Sequence, residues 1–300
     1  MRIGISVTSS WPGVEPARAA AIMIERTAAA YEAGVATLSV GDHHVEAQPY
    51  VQNTPILGRM LAEWPDREAG CLFLLPLWNP VLVAEQVGTL SAMVDAPFVV
   101  QVGLGRGARQ FDAMGSQLST RGADTNEAIR VVTGLLAGDT VSSERYGIVD
   151  ASFGLTASQQ VHWWIGGHAP AGLDRAARLG DAWYAGPGLS NNELGQMAQT
   201  YRELCVRYAK PHRAIVRQDV LVLDDADRAH HMAHKILKAG YRAMTEDQVL
   251  VGGREAVRAR LQELENLGFD SLVFRCMSAD QAVALESIEI MGSFSSTLAG

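Results

Sequence analysis

Short runs of β-branched and apolar residues alternate with longer helical patterns along the whole chain, and this alternation narrows the fold more than any other feature. Strands are expected at 3–7, 37–40, 71–75, 98–102, 161–165, 182–184, 215–223 and 271–274. Helical patterns fall at 17–33, 55–62, 81–93, 126–136, 171–179, 192–208, 225–239, 254–267 and 279–291. A polar stretch, 138–160, has room for a hairpin. Strands separated by helices return in the same direction, so the sheet is parallel and covered by helices. Eight such units in 300 residues fit a closed (β/α)8 TIM barrel, which uses ~250 residues plus insertions. A doubly wound open sheet would carry a phosphate fingerprint after its first strand. Here that turn reads Ser6-Val-Thr-Ser-Ser-Trp-Pro-Gly13, which is no such fingerprint. A single α/β barrel domain over 1–300 is therefore expected, with its site at the C-terminal ends of the strands.

Composition limits the function classes. Apolar residues make up 48% of the chain, enough for a large core, and the net charge is −8. An acidic surface repels phosphate backbones and anionic lipids, so no nucleic-acid and no membrane partner is expected. Arg2–Val7 enters a strand at once, without the basic and apolar regions of a signal peptide, and a cytoplasmic location follows as an expectation. Three widely spaced cysteines, Cys71, Cys205 and Cys276, support neither a disulfide framework nor a CxxC metal site.

The unusual residues cluster at strand ends. Asp42-His43-His44 follows the second strand, and Leu75-Pro-Leu-Trp-Asn-Pro80 the third. After the fourth comes Gly103-Leu-Gly-Arg-Gly-Ala108, after the fifth Gly166-Gly-His-Ala-Pro170, and after the sixth Gly186-Pro-Gly188. Gly166-Gly167 before a helix offers backbone N–H groups at the positive end of a dipole. Arg106 between Gly105 and Gly107 lets a guanidinium and bare backbone approach one phosphate. Together the two loops suit a phosphorylated cofactor. The segment Gly103-x-Gly105-x-x-Ala108 also fits a loose dinucleotide fingerprint, but no helix is expected to open there. His43 and His44 with Asp42 form a poor metal site, because consecutive side chains diverge. His230, His231 and His234 suit a solvated helix face better than a metal. Trp163 and Trp164 should pack on opposite sides of their strand.

These motifs, in this order, resemble the luciferase-like monooxygenases, a barrel family that includes bacterial luciferase and many flavin- or F420-dependent oxidoreductases. Asp42-His43-His44 is similar to the family's acidic-His-His. Leu75–Glu85, Gly103–Gly107 with Phe111–Gly115, Ile165–His168 with Ala176–Trp183, and Val251–Val257 with Leu267–Asp270 resemble its later segments. Met93-Val-Asp-Ala-Pro97 departs from the family's Leu-Ser-x-Gly-Arg before the fourth strand.

The resemblance implies a flavin-dependent oxidoreductase, an FMN-type monooxygenase using reduced FMN and O2 on a small organic substrate. A separate flavin reductase and a homodimeric assembly are expected with it. Cofactor contacts are expected from Leu72, Gly105, Arg106, Gly107, Ala108, Gly166, Gly167, His168 and Ala171. His44 is expected to transfer protons, since its ordinary pKa suits exchange near neutrality, with Asp42 orienting it. The loops 43–54 and 142–160 are expected to cover the substrate. By resemblance the Cys71–Leu72 peptide should be cis. No metal is expected. An F420-dependent hydride-transfer enzyme and a non-catalytic flavin-binding relative remain as alternatives.

Overall fold

The computed structural model describes residues 1–295. Its strands are β1 (Arg2–Val7), β2 (Thr37–Val40), β3 (Glu68–Leu74), β4 (Phe98–Gly103), β5 (Val141–Ser143), β6 (Ile148–Ala151), β7 (Val161–Gly166), β8 (Ala182–Ala185), β9 (Ala214–Val222), β10 (Leu250–Gly252) and β11 (Ser271–Cys276). Eight of them close a parallel barrel in the order β1, β2, β3, β4, β7, β8, β9, β11 and back to β1. Those eight are the strands expected from the alternation. The ring closes where Arg2 pairs with Ser271 and Ile5 with Phe274. Buried on both faces, these strands read as near-continuous apolar runs.

Helices fill the intervals and form the outer layer. Pro16–Glu32 begins with proline in its first turn and the Glu15 side chain accepting from the Arg18 N–H, 3.1 Å away. Asn191–Arg207 opens with a reciprocal capping box between Ser190 and Glu193. The main core lies between barrel and helices. A smaller interior cluster joins Val99, Trp164, Ala182, Tyr184, Ile215 and Val273. Trp164 thus points into the barrel, while Trp163 packs with the outer core, as alternation along a strand requires.

Four features differ from expectation. First, a short helix, Ala108–Ala113, opens directly after the glycine loop, with Gly107 at its N-cap. Second, β10 is a ninth strand. β9 pairs with β8 only as far as Val216, and at Val220–Val222 it pairs with β10. The barrel wall therefore parts beside β9 above that point. Third, no peptide bond among the described residues is cis, so Cys71–Leu72 is trans. Cys71 pairs in register with both Val40 and Val100, and Leu72 with Gln101; an unbroken ladder holds the strand extended, and the trans form is intrinsically favoured by ~2.5–4 kcal/mol. Fourth, 138–160 does contain the hairpin β5–β6, but the loop 142–160, expected to cover the substrate, lies on the outer helices. A Cβ built on Gly88 would meet the Leu155 carbonyl at 2.8 Å, and Ala157 donates to the Leu136 carbonyl at 3.4 Å. None of this segment lines the cavities at the barrel mouth.

At the opposite end of the barrel a polar knot ties strands together. Buried Glu68 accepts from Thr37 Oγ1 at 2.8 Å and His162 Nδ1 at 3.1 Å, with Arg2 3.3 Å away. Burial pushes its pKa up, but His162, Arg2 and Thr37 outweigh that and leave it below the usual carboxylate range.

Candidate active site

Two adjoining cavities open at the C-terminal ends of the strands. The larger, about 730 Å³, runs from Leu72 on β3 past Gln101 on β4 to the turns after β7 and β8. The smaller, about 480 Å³, is walled by residues that include Asp42, His43 and Tyr50. They share Gly41, Leu72, Gly105, Arg106, Arg217 and Arg242.

Leu72, Gly105, Arg106, Gly166, Gly167, His168 and Ala171 all line the larger cavity. Gly107 and Ala108 do not; they start the short helix behind it. The Arg106 loop depends on its glycines: Gly105 and Gly107 have φ of 71° and 91°, a region costly for other residues. Arg106 is exposed and forms no ion pair among the described residues. Across the cavity, Gly167 and Gly172 approach so closely that a Cβ on either would meet the other's Cα at 2.8–2.9 Å. This contact seats helix Pro170–Leu179 against the end of β7. Its first turn has no side-chain cap; Pro170 carries no N–H, and Gly172 and Leu173 donate to the Ala169 carbonyl, so Ala171 is the residue of that turn with an N–H to offer an anion. His168 Nε2 accepts from the Gly186 N–H at 3.2 Å, so the neutral ring carries its proton on Nδ1. Burial, aided by nearby Arg106 and opposed by Glu193, lowers its pKa.

Further residues of this end were not apparent from the sequence. Ser119, Arg121 and Arg175 line the cavity beside Arg106. Arg175 is buried and held by Asn126 Oδ1 at 2.7 Å and the Gly122 carbonyl at 3.2 Å. Gln101, buried on β4 in the cavity wall, leaves its Nε2 without a partner. An uncapped helix turn, several arginines and an orphan amide donor around a large concave site fit a cofactor with a phosphate at one end and ring carbonyls at the other.

The two histidines separate. His43 lines the smaller cavity, 43% exposed, with Nδ1 2.8 Å from Glu46. His44 is 11% exposed and lies outside the wall of either cavity. Its Nε2 is 3.3 Å from Asp42 Oδ1, too poorly aligned for a hydrogen bond. Its ring stands edge-on to Trp78 at 5.5 Å, and its backbone N–H donates to Gln110 Oε1 at 2.9 Å. Asp42 is buried; its Oδ2 accepts from the Leu74 N–H and Trp78 Nε1, each at 2.8 Å. Asp42 thereby ties the end of β2 to the end of β3 and fixes the loop that carries both histidines.

The other end of the site is also cationic. On β9, Arg217 donates to Asp219 Oδ1 at 2.9 Å. Tyr241 donates to Asp219 Oδ2 at 3.0 Å, and Arg242 Nε lies 3.3 Å from the same atom. Arg275 on β11 donates to Thr8 Oγ1. Arg242 and Ala243 have φ of 50° and 55°, a left-handed backbone that costs ~1–2 kcal/mol per residue and that the Asp219 contacts hold in place. Burial pushes the hydroxyls of Tyr50, Tyr184 and Tyr241 up to about 12, so all three remain neutral donors near pH 7. The sequence signal for this group was present but unused: Arg217-Gln218-Asp219 and Arg275 interrupt apolar strands.

Known proteins agree with this architecture. Residues 1–271 match the luciferase-like monooxygenase family model. An uncharacterized protein of Mycobacterium tuberculosis is 35% identical over 132 residues, which cover 43% of this chain and 45% of that protein; the match thus spans under half of that relative's length. Among solved structures, an F420-dependent secondary alcohol dehydrogenase in complex with an F420–acetone adduct superposes with TM-score 0.80 at 16% identity, covering 98% of this chain and 99% of that one. The FMN-bound oxygenating constituent of 3,6-diketocamphane monooxygenase from Pseudomonas putida gives 0.79 at 14% identity, covering 99% and 98%. The F420-dependent tetrahydromethanopterin reductase of Methanopyrus kandleri gives 0.76 at 14%, covering 97% and 96%. With its eight-stranded barrel and a family match over nine-tenths of its length, this chain belongs to the luciferase-like monooxygenase family, a family of oxidoreductases.

Proposed function

We propose that the protein is an FMN-type monooxygenase acting with reduced flavin and dioxygen on a small organic substrate. The observation that carries this reading is the convergence of Arg106, His168 and the uncapped turn after Gly167 on one end of the larger cavity. Arg106 and the Ala171 backbone N–H would hold the cofactor phosphate, with Arg175 adding positive charge in the same wall. Leu72 would lie against the ring, and the orphan Nε2 of Gln101 would be the donor for a ring carbonyl. Bound reduced flavin supplies the electrons that activate dioxygen.

The chain's own part is binding, orientation, exclusion of water and movement of a proton. His43 faces the smaller cavity and is the imidazole placed to take or give a proton at the substrate. His44, expected from the sequence to do this, becomes the positioning partner held between Asp42 and Trp78. A separate reductase supplies the reduced FMN.

Titration of the protein with FMN, riboflavin and F420, each oxidised and reduced, tests this. FMN should bind more tightly than riboflavin and F420. Tighter binding of F420 would replace the reading with hydride transfer on the same fold.

A further inference from the structure

In the reading above the cofactor phosphate sits with Arg106 and the Gly167 turn, which leaves the arginines at the β9–β11 end without a role in holding it. Around the smaller cavity stand Arg106, Arg217, Arg242 and Arg275, with two carboxylates, Asp42 and Glu46. Both carboxylates are engaged elsewhere: Asp42 with Leu74 and Trp78, and Glu46 with His43. Among the described residues, Asp219, behind the wall, is the one carboxylate that pairs with Arg217 and Arg242, while Arg275 donates to the Thr8 hydroxyl and has no acidic partner; one negative charge faces three positive ones. Guanidinium groups do not lose their protons in proteins, so this imbalance stays charged.

Burial makes it costly. The Arg217 side chain is only 9% exposed, and its Nε has no partner. The Nε of Arg275 is likewise buried and unpaired. Two unsatisfied guanidinium nitrogens beside a cavity are a built demand for acceptors. The neutral hydroxyls of Tyr50 and Tyr241 stand beside the cluster. The wall also parts at this level, since β9 pairs with β8 only as far as Val216.

We propose that the substrate carries an anionic group, a carboxylate or phosphate, which enters the smaller cavity and binds between Arg217, Arg242 and Arg275. This rests on the larger cavity being the cofactor site. The anionic head would sit at the arginines and the oxidised part of the substrate near His43, beside Leu72.

The test uses three probes of one shape with different heads: pentanoate, pentyl phosphate and the neutral pentanamide. Their affinities for the FMN-loaded protein are measured by calorimetry in low-salt buffer, with FMN binding measured separately by flavin fluorescence. At least one anionic probe should bind roughly 10- to 100-fold more tightly than pentanamide, and the tighter of the two identifies the head. Arg242→Gln should abolish most of that preference while pentanamide binding stays the same. Arg242 is the chosen variant because its side chain is on a loop and one-third exposed. Should the variant not fold, the wild-type comparison of pentanoate and pentyl phosphate with pentanamide decides alone. Equal binding of all three probes to a protein that binds FMN overturns the proposal. So does an Arg242→Gln variant that loses FMN as strongly as it loses the anion, since the arginines would then serve the cofactor. Anion preference in a protein that binds neither FMN nor F420 upholds the anion site and overturns the cofactor reading instead.

Discussion

Arg106 and Arg217 both line the cavity above the barrel, yet one rides on a glycine loop with no acidic partner and the other is buried on a strand against Asp219. The first is exposed, so its charge is solvated whether or not a ligand is present, and removing it should leave the fold almost unchanged. The second is bound into the wall: Asp219 is fully buried and joins β9 to the Tyr241–Arg242 loop. An exposed charge can be devoted to a ligand at little cost to stability. A buried one must also satisfy the protein, because an uncompensated charge in the interior costs several kcal/mol.

That contrast can be broken most sharply at the histidines between the two ends. His43→Ala should lower turnover by ~10²–10⁴-fold with FMN affinity nearly unchanged. His44→Ala should give the smaller loss; if it gives the larger, the proton passes through His44 and the cavity-wall argument fails. Next in size, Asp219→Asn should lower stability by about 3–5 kcal/mol, read as a fall in denaturant midpoint, since it leaves Arg217 buried without its counter-charge. Arg106→Ala should cost less than ~0.5 kcal/mol in the same assay. Equal losses from the two would erase the distinction.

In binding the ranking reverses. Arg106→Ala should weaken FMN by roughly 10- to 100-fold, the loss of one charge-assisted hydrogen bond of about 1.5–3 kcal/mol. Riboflavin, which lacks the phosphate, should bind variant and parent alike. Lysine should restore FMN binding only in part, because a point charge does not reproduce the planar fork. Equal losses for FMN and riboflavin would mean that Arg106 supports the loop only.

The smallest effect is expected far from both ends. Glu68→Gln should cost about 1–3 kcal/mol at pH 7 without altering the FMN-to-riboflavin ratio. The folded-state pKa of Glu68 is lowered, so its contribution is present above the unfolded carboxylate value of ~4.3 and is lost as pH falls through the folded value. Melting curves of parent and variant should therefore converge as pH drops from 5 toward 3. A gap that stays constant would show that the charge of Glu68 contributes nothing.

The two ends also differ in how far they could be read from the chain. Arg106 between glycines and the Gly166-Gly167 turn are local motifs, and local backbone rules place them at strand ends before any contact is known. Arg217 and Arg275 are 58 positions apart and meet only because β9 pairs with β11, Arg217 standing opposite Val273 and Arg275 opposite Asp219. Arg175 and Arg121 reach the cavity that Arg106 lines through the packing of two helices that no short motif connects. The choice between His43 and His44 was equally hidden, because adjacent side chains differ only in which way the loop turns them. That turn is set by Asp42 gripping β3 and by Val45 at a φ of 58°.

From the sequence alone came the eight strand–helix units, their parallel order and the level of the barrel at which the site must lie. These follow from hydrophobic periodicity and from stop signals that act over a few residues. The tertiary structure decided the trans peptide at Cys71–Leu72, the parting of β9 from β8, and which histidine meets the cavity. It also decided that two of the three arginines share one carboxylate, Asp219. Each of these depends on register and burial between segments distant in the chain, where desolvation and the pairing of charge across strands, not local propensity, select the arrangement.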